Sequence, residues 1–194
     1  MTAAQLQNVS RGTVRPLLFR KYLREANAAG LKDTTRRIVR PDNSIITHGG
    51  DFANLELDTA RGAEFGTVIR SRYVFQSGRR RVVTVMPQVR PGDLFWAKEG
   101  RFGSRAKSEQ TLEVIAIRAR RVQDMTEEDA EHEGVAMLPD KFKKGSAFGR
   151  HWFARLWDDI NGKGSWDLNP WVWVYRYRVH PLNVDRFLEQ RERG

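Results

Sequence analysis

LWDDINGKGSWDLNPWVWVYRYRV, residues 156–179, changes from one structural period to another within a few positions. Its first residues complete an amphipathic helix over 149–160, where Trp152, Phe153, Leu156, Trp157 and Ile160 recur at three- and four-residue spacing. Asn161–Gly164 breaks that helix, because two glycines and no apolar side chain follow Ile160. WVWVYRYRV at 171–179 then alternates, with Trp171, Trp173, Tyr175 and Tyr177 on one strand face and Arg176 and Arg178 on the other. A helix with an apolar stripe followed by a strand with an apolar face predicts helix-on-sheet packing, and most of the tryptophans read as core.

The same reading extends outward. RPLLF (15–19) is a short strand that begins at a proline and so suits an edge. Residues 20–29 form a helix, with Tyr22, Leu23, Ala26 and Ala29 at helical spacing and Gly30 as its cap. Residues 65–75 and 81–89 read as a hairpin around Gln76-Ser77-Gly78, and 94–98 as a strand after the turn Pro91-Gly92-Asp93. Residues 111–122 are a long alternating strand, placing Val114, Ala116, Arg118 and Arg120 on one face. Thr126 opens a helix through Thr-x-x-Asp, and 183–191 read as a terminal helix. Strands with a few peripheral helices predict an α+β chain built on a small closed or half-closed β-barrel. A tail (1–14) precedes the domain (15–180), which carries an insertion at about 42–89, and a tail or short helix (181–194) follows.

Composition narrows the chemistry. The 194 residues include no Cys, which excludes a thiol nucleophile, a disulfide framework and a Cys-based metal site. The four His show no metal-ligand spacing, and neither a metal nor an organic cofactor is implied. A net charge of +10, most of it Arg, favours a polyanionic partner such as nucleic acid. No segment approaches the roughly 18 apolar residues of a membrane span, and the N-terminal stretch lacks the apolar run of a signal peptide. The expectation is a cytoplasmic protein with no membrane partner.

Several residues invite a functional reading beside a structural one. On the Thr126 helix, Ala130, Glu133 and Met137 share a stripe, so Glu133 turns inward if Ala130 does. An inward Glu is costly unless paired or used for proton transfer. Lys32 and Thr35 are three apart and meet only if residues 31–35 form a turn. Either Arg36 or Arg37 faces the same site, to pair with Glu133 or with a phosphate. Trp96 either stacks a base or packs in the core, and Glu99 takes the opposite strand face. Arg118 and Arg120 are further nucleic-acid-binding candidates.

Three stretches carry a family resemblance: RPLLF to IVRP (15–41), RPGDLFWAKE (90–99), and VQDMTEEDAEHEGV through the 156–178 ending (122–178). Together they resemble the ASCH-domain proteins, of the prophage-borne type that ends in WDxNPWVWV. The resemblance implies a PUA-like barrel and binding of RNA or modified nucleosides. It also implies, in one branch, an amidohydrolase that removes the acetyl group from the exocyclic amine of acetylcytidine with a Lys, a Thr and a Glu. Those residues fall here on Lys32, Thr35 and Glu133. Asp33 stands where the family commonly carries Thr and sets a carboxylate beside Lys32. On this reading Thr35 is the nucleophile or orients water, Lys32 assists deprotonation or stabilises the oxyanion, and Glu133 carries the proton to the leaving amine. A non-catalytic RNA- or DNA-binding module and a ribonuclease, both of phage or prophage origin, are the alternatives.

Overall fold

A computed structural model describes residues 12–39, 69–74 and 80–193. In chain order the elements are β1 (Val14–Phe19), α1 (Lys21–Ala28), β2 (Thr34–Ile38), β3 (Ile69–Val74), β4 (Arg80–Val85), β5 (Leu94–Glu99) and β6 (Thr111–Arg121). They continue with α2 (Glu127–His132), α3 (Asp140–Lys143), α4 (Gly149–Asn161), β7 (Trp171–His180) and α5 (Val184–Arg193). Five strands form one mixed sheet in the order β1-β5-β6-β7-β2. β1 runs parallel to β5 and the other pairs are antiparallel. The architecture is α+β.

The expected barrel is not closed. β1 and β2 are the two edges of the sheet, and no ladder joins them. A cavity of about 360 Å³, walled by Arg15, Leu17, Arg37, Ile38, Phe95, Trp173 and Tyr175, lies where a closing ladder would run. The Arg37 side chain crosses the gap, stacking over Phe19 at 5.3 Å and donating to the Leu18 carbonyl at 2.8 Å. An edge position for β1 also explains why Pro16, which has no N–H to donate, is tolerated there.

The core lies on one face of this sheet. Leu17, Phe19, Phe95, Leu112, Ile117, Trp173, Tyr175 and Tyr177 are buried against Leu23 of α1, Ala130 of α2 and Phe153, Leu156 and Trp157 of α4. Each fully buried large apolar side chain contributes about 1.5–3 kcal/mol. The helical stripe read from 149–160 is therefore the packing face, with Ile160 left exposed beyond it.

Two local devices were not legible in the alternation. A bulge between Val114 and Ala116 resets β6, so Val114 and Ile117 are buried while Arg118 and Arg120 are exposed. The single face expected for Val114, Ala116, Arg118 and Arg120 is thus split. After α4, Asp158 accepts from Trp166 N at 2.8 Å, Gly164 N at 3.0 Å and Ser165 Oγ at 3.1 Å, which fixes the turn into β7. Burial pushes the Asp158 carboxyl up, but these hydrogen bonds outweigh it and hold it below the usual carboxylate range.

Among the described residues β3 and β4 pair only with each other, in a separate two-stranded ladder. Strand 81–89 was expected to reach Val89, but it ends at Val85. Residues 42–68 of the segment read as an insertion, residues 40–41 before it, residues 1–11 of the expected tail and residues 75–79, which include the turn read at Gln76-Ser77-Gly78, lie outside the described residues. The terminal helix is present as α5.

Candidate functional site

Glu133 ends α2. Thr126 starts that helix with a reciprocal cap: its Oγ1 accepts from Asp129 N, and Asp129 Oδ2 accepts from Thr126 N, both at 3.1 Å. Gly134, at φ +79°, turns the chain sharply after it. The stripe reading holds for Ala130 and Glu133, which are both buried. Met137 falls beyond Gly134 and is partly exposed.

Lys32 meets Glu133 across a single β-bridge, just before β2 begins. Lys32 is only 1% exposed and Glu133 3%. The Lys32 ammonium donates to Glu133 Oε2 at 2.7 Å, to the Thr34 carbonyl at 2.6 Å and to the Glu133 carbonyl at 3.0 Å. All of its donors are thereby used. Burial lowers the proton affinity of the amine below the ordinary lysine range. The charge of Glu133 and its hydrogen bond oppose that lowering, while Arg37 and Arg36 add to it.

The other carboxylate oxygen of Glu133 accepts from Arg36 Nη1 at 3.0 Å, and Arg36 Nη2 reaches Asp129 at 3.1 Å. Arg36 is the buried arginine of the pair and Arg37 the half-buried one. Asp33 does not neighbour the Lys32 ammonium as a partner. It takes His132 Nδ1 at 2.8 Å and faces Arg176 at 3.5 Å, so the carboxylate that serves Lys32 is Glu133.

A cavity of about 640 Å³ opens beside this cluster, walled by Phe19, Arg20, Thr35, Arg36, Arg37, Arg101, Glu133, Phe153 and Trp157 among others. That is the size of a small-molecule site. Thr35 and Arg37 share a face of β2 and oppose Tyr175 and Trp173 of β7. Lys32 lines a second depression of about 910 Å³ on the outer side of the sheet, with Asp33, Arg118, His132 and Arg176. The Lys32–Glu133 pair thus separates the two spaces: Thr35 and Glu133 border one, and Lys32 the other.

No family model matches the chain, and no curated protein or solved structure matches it.

The remaining candidates fall elsewhere. Trp96 is buried in a separate small cluster with Leu94 and Val184, under Phe187 and Leu188 of α5, and borders neither cavity. The ring is occupied in packing the terminal helix, the second of the two readings open to it. Glu99 pairs with Arg24 at the end of β5. Arg118 borders the outer depression and Arg120 stands exposed on the same sheet face. Among the described residues neither has a hydrogen-bond or ion-pair partner. Among the described residues there is also no cluster of His, Asp and Glu that could hold a metal ion, and no helix long and apolar enough to cross a membrane. Arg20, Arg101, Phe153 and Trp157 of the cavity wall carried no functional signal in the sequence. They come from three separate segments, before α1, after β5 and on α4, and the one spacing among them, Phe153 to Trp157, reads as core packing.

Proposed function

We propose that this is a cytoplasmic ASCH-type protein of PUA-like architecture that hydrolyses an amide on a modified pyrimidine nucleoside of the 4-acetylcytidine kind. The observation that carries the reading is the Lys32–Glu133 pair, buried at 2.7 Å and set against a cavity that Thr35 and Glu133 both line. The pair joins Lys32 and Glu133 across distant segments, and Thr35 lines the same cavity as Glu133, so the three residue types that the resemblance singles out are neighbours.

In this reading Thr35 Oγ1 attacks the amide carbonyl carbon and gives its proton to the Lys32–Glu133 pair. The C–N bond breaks as Glu133 returns that proton to the leaving amine. Water then attacks the acyl-threonine ester and releases the acid, restoring the hydroxyl. Full use of the Lys32 donors favours a proton-relay role for it over direct contact with the oxyanion. The lowered proton affinity of its amine suits that role.

The test is incubation with 4-acetylcytidine, following cytidine and acetate by mass spectrometry. Thr35→Val keeps the shape and removes the hydroxyl, so turnover is lost while the melting temperature stays close to that of the parent. Glu133→Gln and Lys32→Ala lose turnover per folded molecule. Unchanged turnover in Thr35→Val overturns the mechanism.

A second reading rests on the exposed Arg118 and Arg120, without a partner among the described residues, beside Arg176 and Arg178 on the outer sheet face. On that reading the protein docks RNA there without chemistry. Affinity would then fall with salt at a log–log slope of about −0.7 per phosphate contacted on a single strand, and absence of binding at low salt would overturn it.

A further inference from the structure

The wall of the Thr35 cavity is short of negative charge. It presents Arg20, Arg36, Arg37 and Arg101 against one carboxylate, that of Glu133. Two of these cations are already engaged: Arg36 by Glu133 and Asp129, and Arg20 by Asp159 at 3.3 Å. The other two have no carboxylate partner among the described residues. Arg37 spends one donor on the Leu18 carbonyl and stacks on Phe19, and Arg101 lies near the Phe102 ring at 6.0 Å. The wall is short of acceptors as well, because Arg36 Nε and Trp157 Nε1 are buried without a hydrogen-bond partner. A concavity with surplus cations focuses positive potential on whatever enters it. Guanidinium groups match the paired oxygens of phosphate and carboxylate. The same wall offers flat and aliphatic surface in Phe19, Leu23, Phe153 and Trp157.

We infer that the ligand of this cavity is a ring compound bearing an oxyanion, phosphate or carboxylate, held by Arg37 and Arg101. Resting on the hydrolase reading above, this makes the substrate an acylated nucleotide or an acidic pyrimidine, in place of a neutral nucleoside. Arg37 and Arg101 bind and position the substrate and take no part in the proton transfers.

Calorimetric titration of the full chain with cytidine, cytidine 5′-monophosphate, orotate and inorganic phosphate at fixed ionic strength tests the subsite without requiring turnover. A charge-assisted contact of this kind predicts about tenfold or more tighter binding of an oxyanion-bearing ligand than of cytidine. Preference for the monophosphate assigns phosphate, and preference for orotate assigns carboxylate. Arg101→Met removes most of the preference and leaves cytidine affinity unchanged. Arg37→Met does the same, and because Arg37 also packs on Phe19, the exposed Arg101 keeps the test independent of folding. Arg186→Met, on α5 and outside the cavity, serves as the control for net charge. Equal affinity for all three ring compounds, or equal losses in Arg101→Met and Arg186→Met, overturns the inference.

Turnover separates the two proposals. Tight binding of the monophosphate with no hydrolysis of 4-acetylcytidine or its 5′-monophosphate keeps the anion subsite and overturns the hydrolase. Hydrolysis of both at equal kcat/KM keeps the hydrolase and overturns the subsite.

Discussion

Replacing Glu133 by Gln leaves Lys32 and Arg36 as buried cations around a neutral amide. The side chains of Lys32, Arg36 and Glu133 are 1%, 3% and 4% exposed, so water does not compensate the loss. Breaking a buried ion pair from one side costs about 3–5 kcal/mol. Lys32 keeps two carbonyl acceptors, at 2.6 and 3.0 Å, which places the expected loss near the lower end. A loss of about 3 kcal/mol lowers the melting temperature of a domain this size by about 6–12 °C. Urea unfolding followed by tryptophan fluorescence measures it, with Lys32→Met and the double variant completing a cycle. The two changes should couple by about 1–3 kcal/mol.

The pH dependence supplies a second arm. Burial already holds the Lys32 amine below its ordinary 10.5, and loss of Glu133 removes the charge that opposes this lowering. Between the folded value and the unfolded one, the unfolded chain then binds more protons than the folded chain, so stability rises with pH. The deficit of Glu133→Gln should therefore shrink as the pH rises from neutral toward the ordinary 10.5 of the unfolded lysine. A deficit below about 1 kcal/mol, or one that grows with pH over that range, would refute the account of a buried ammonium held by this carboxylate.

Gly134→Ala should destabilise by at least about 2 kcal/mol in thermal melts, because a left-handed φ is strained for alanine and there is no room for the methyl group. Its Cβ would lie 2.9 Å from Ala26 Cβ and 3.0 Å from Lys32 Cβ. Tyr177→Phe strands the buried Asn27 Oδ1, which now accepts from the tyrosine hydroxyl at 2.8 Å, and should cost about 1–3 kcal/mol by urea unfolding. Burial pushes Tyr175 up to about 12, so its phenolate should appear near that pH in an absorbance titration, and Tyr175→Phe should remove that transition. The unfolded tyrosine releases its proton first, near 10.0, so this group contributes stability that is lost as pH climbs from there to about 12.

Much of the secondary structure is written locally. The alternation of Trp171 to Tyr177, the stripe from Trp152 to Trp157, the Thr126 cap and Gly30 after α1 all depend on spacings of two to four residues. Backbone geometry reads such spacings directly. The residue types of the candidate cluster were legible too, through the resemblance carried by GLKDTTRR and TEEDAEHE.

What local spacing could not supply is which side chains meet. Lys32 finds Glu133 across 101 residues, and the edge order of the sheet brings them together. The choice of Arg36 as the partner of Glu133 and of Arg37 as the bridge to β1 depends on where α2 and β1 lie against β2. A bulge turned the arginines of β6 away from Val114, and α5 claimed Trp96 for packing. The cationic wall exists because α1, β2, α4 and the turn after β5 converge on one cavity. Periodicity fixes each element because it is a property of neighbouring residues. The charge of a cavity is a sum over distant ones, and it exists only once the chain has folded.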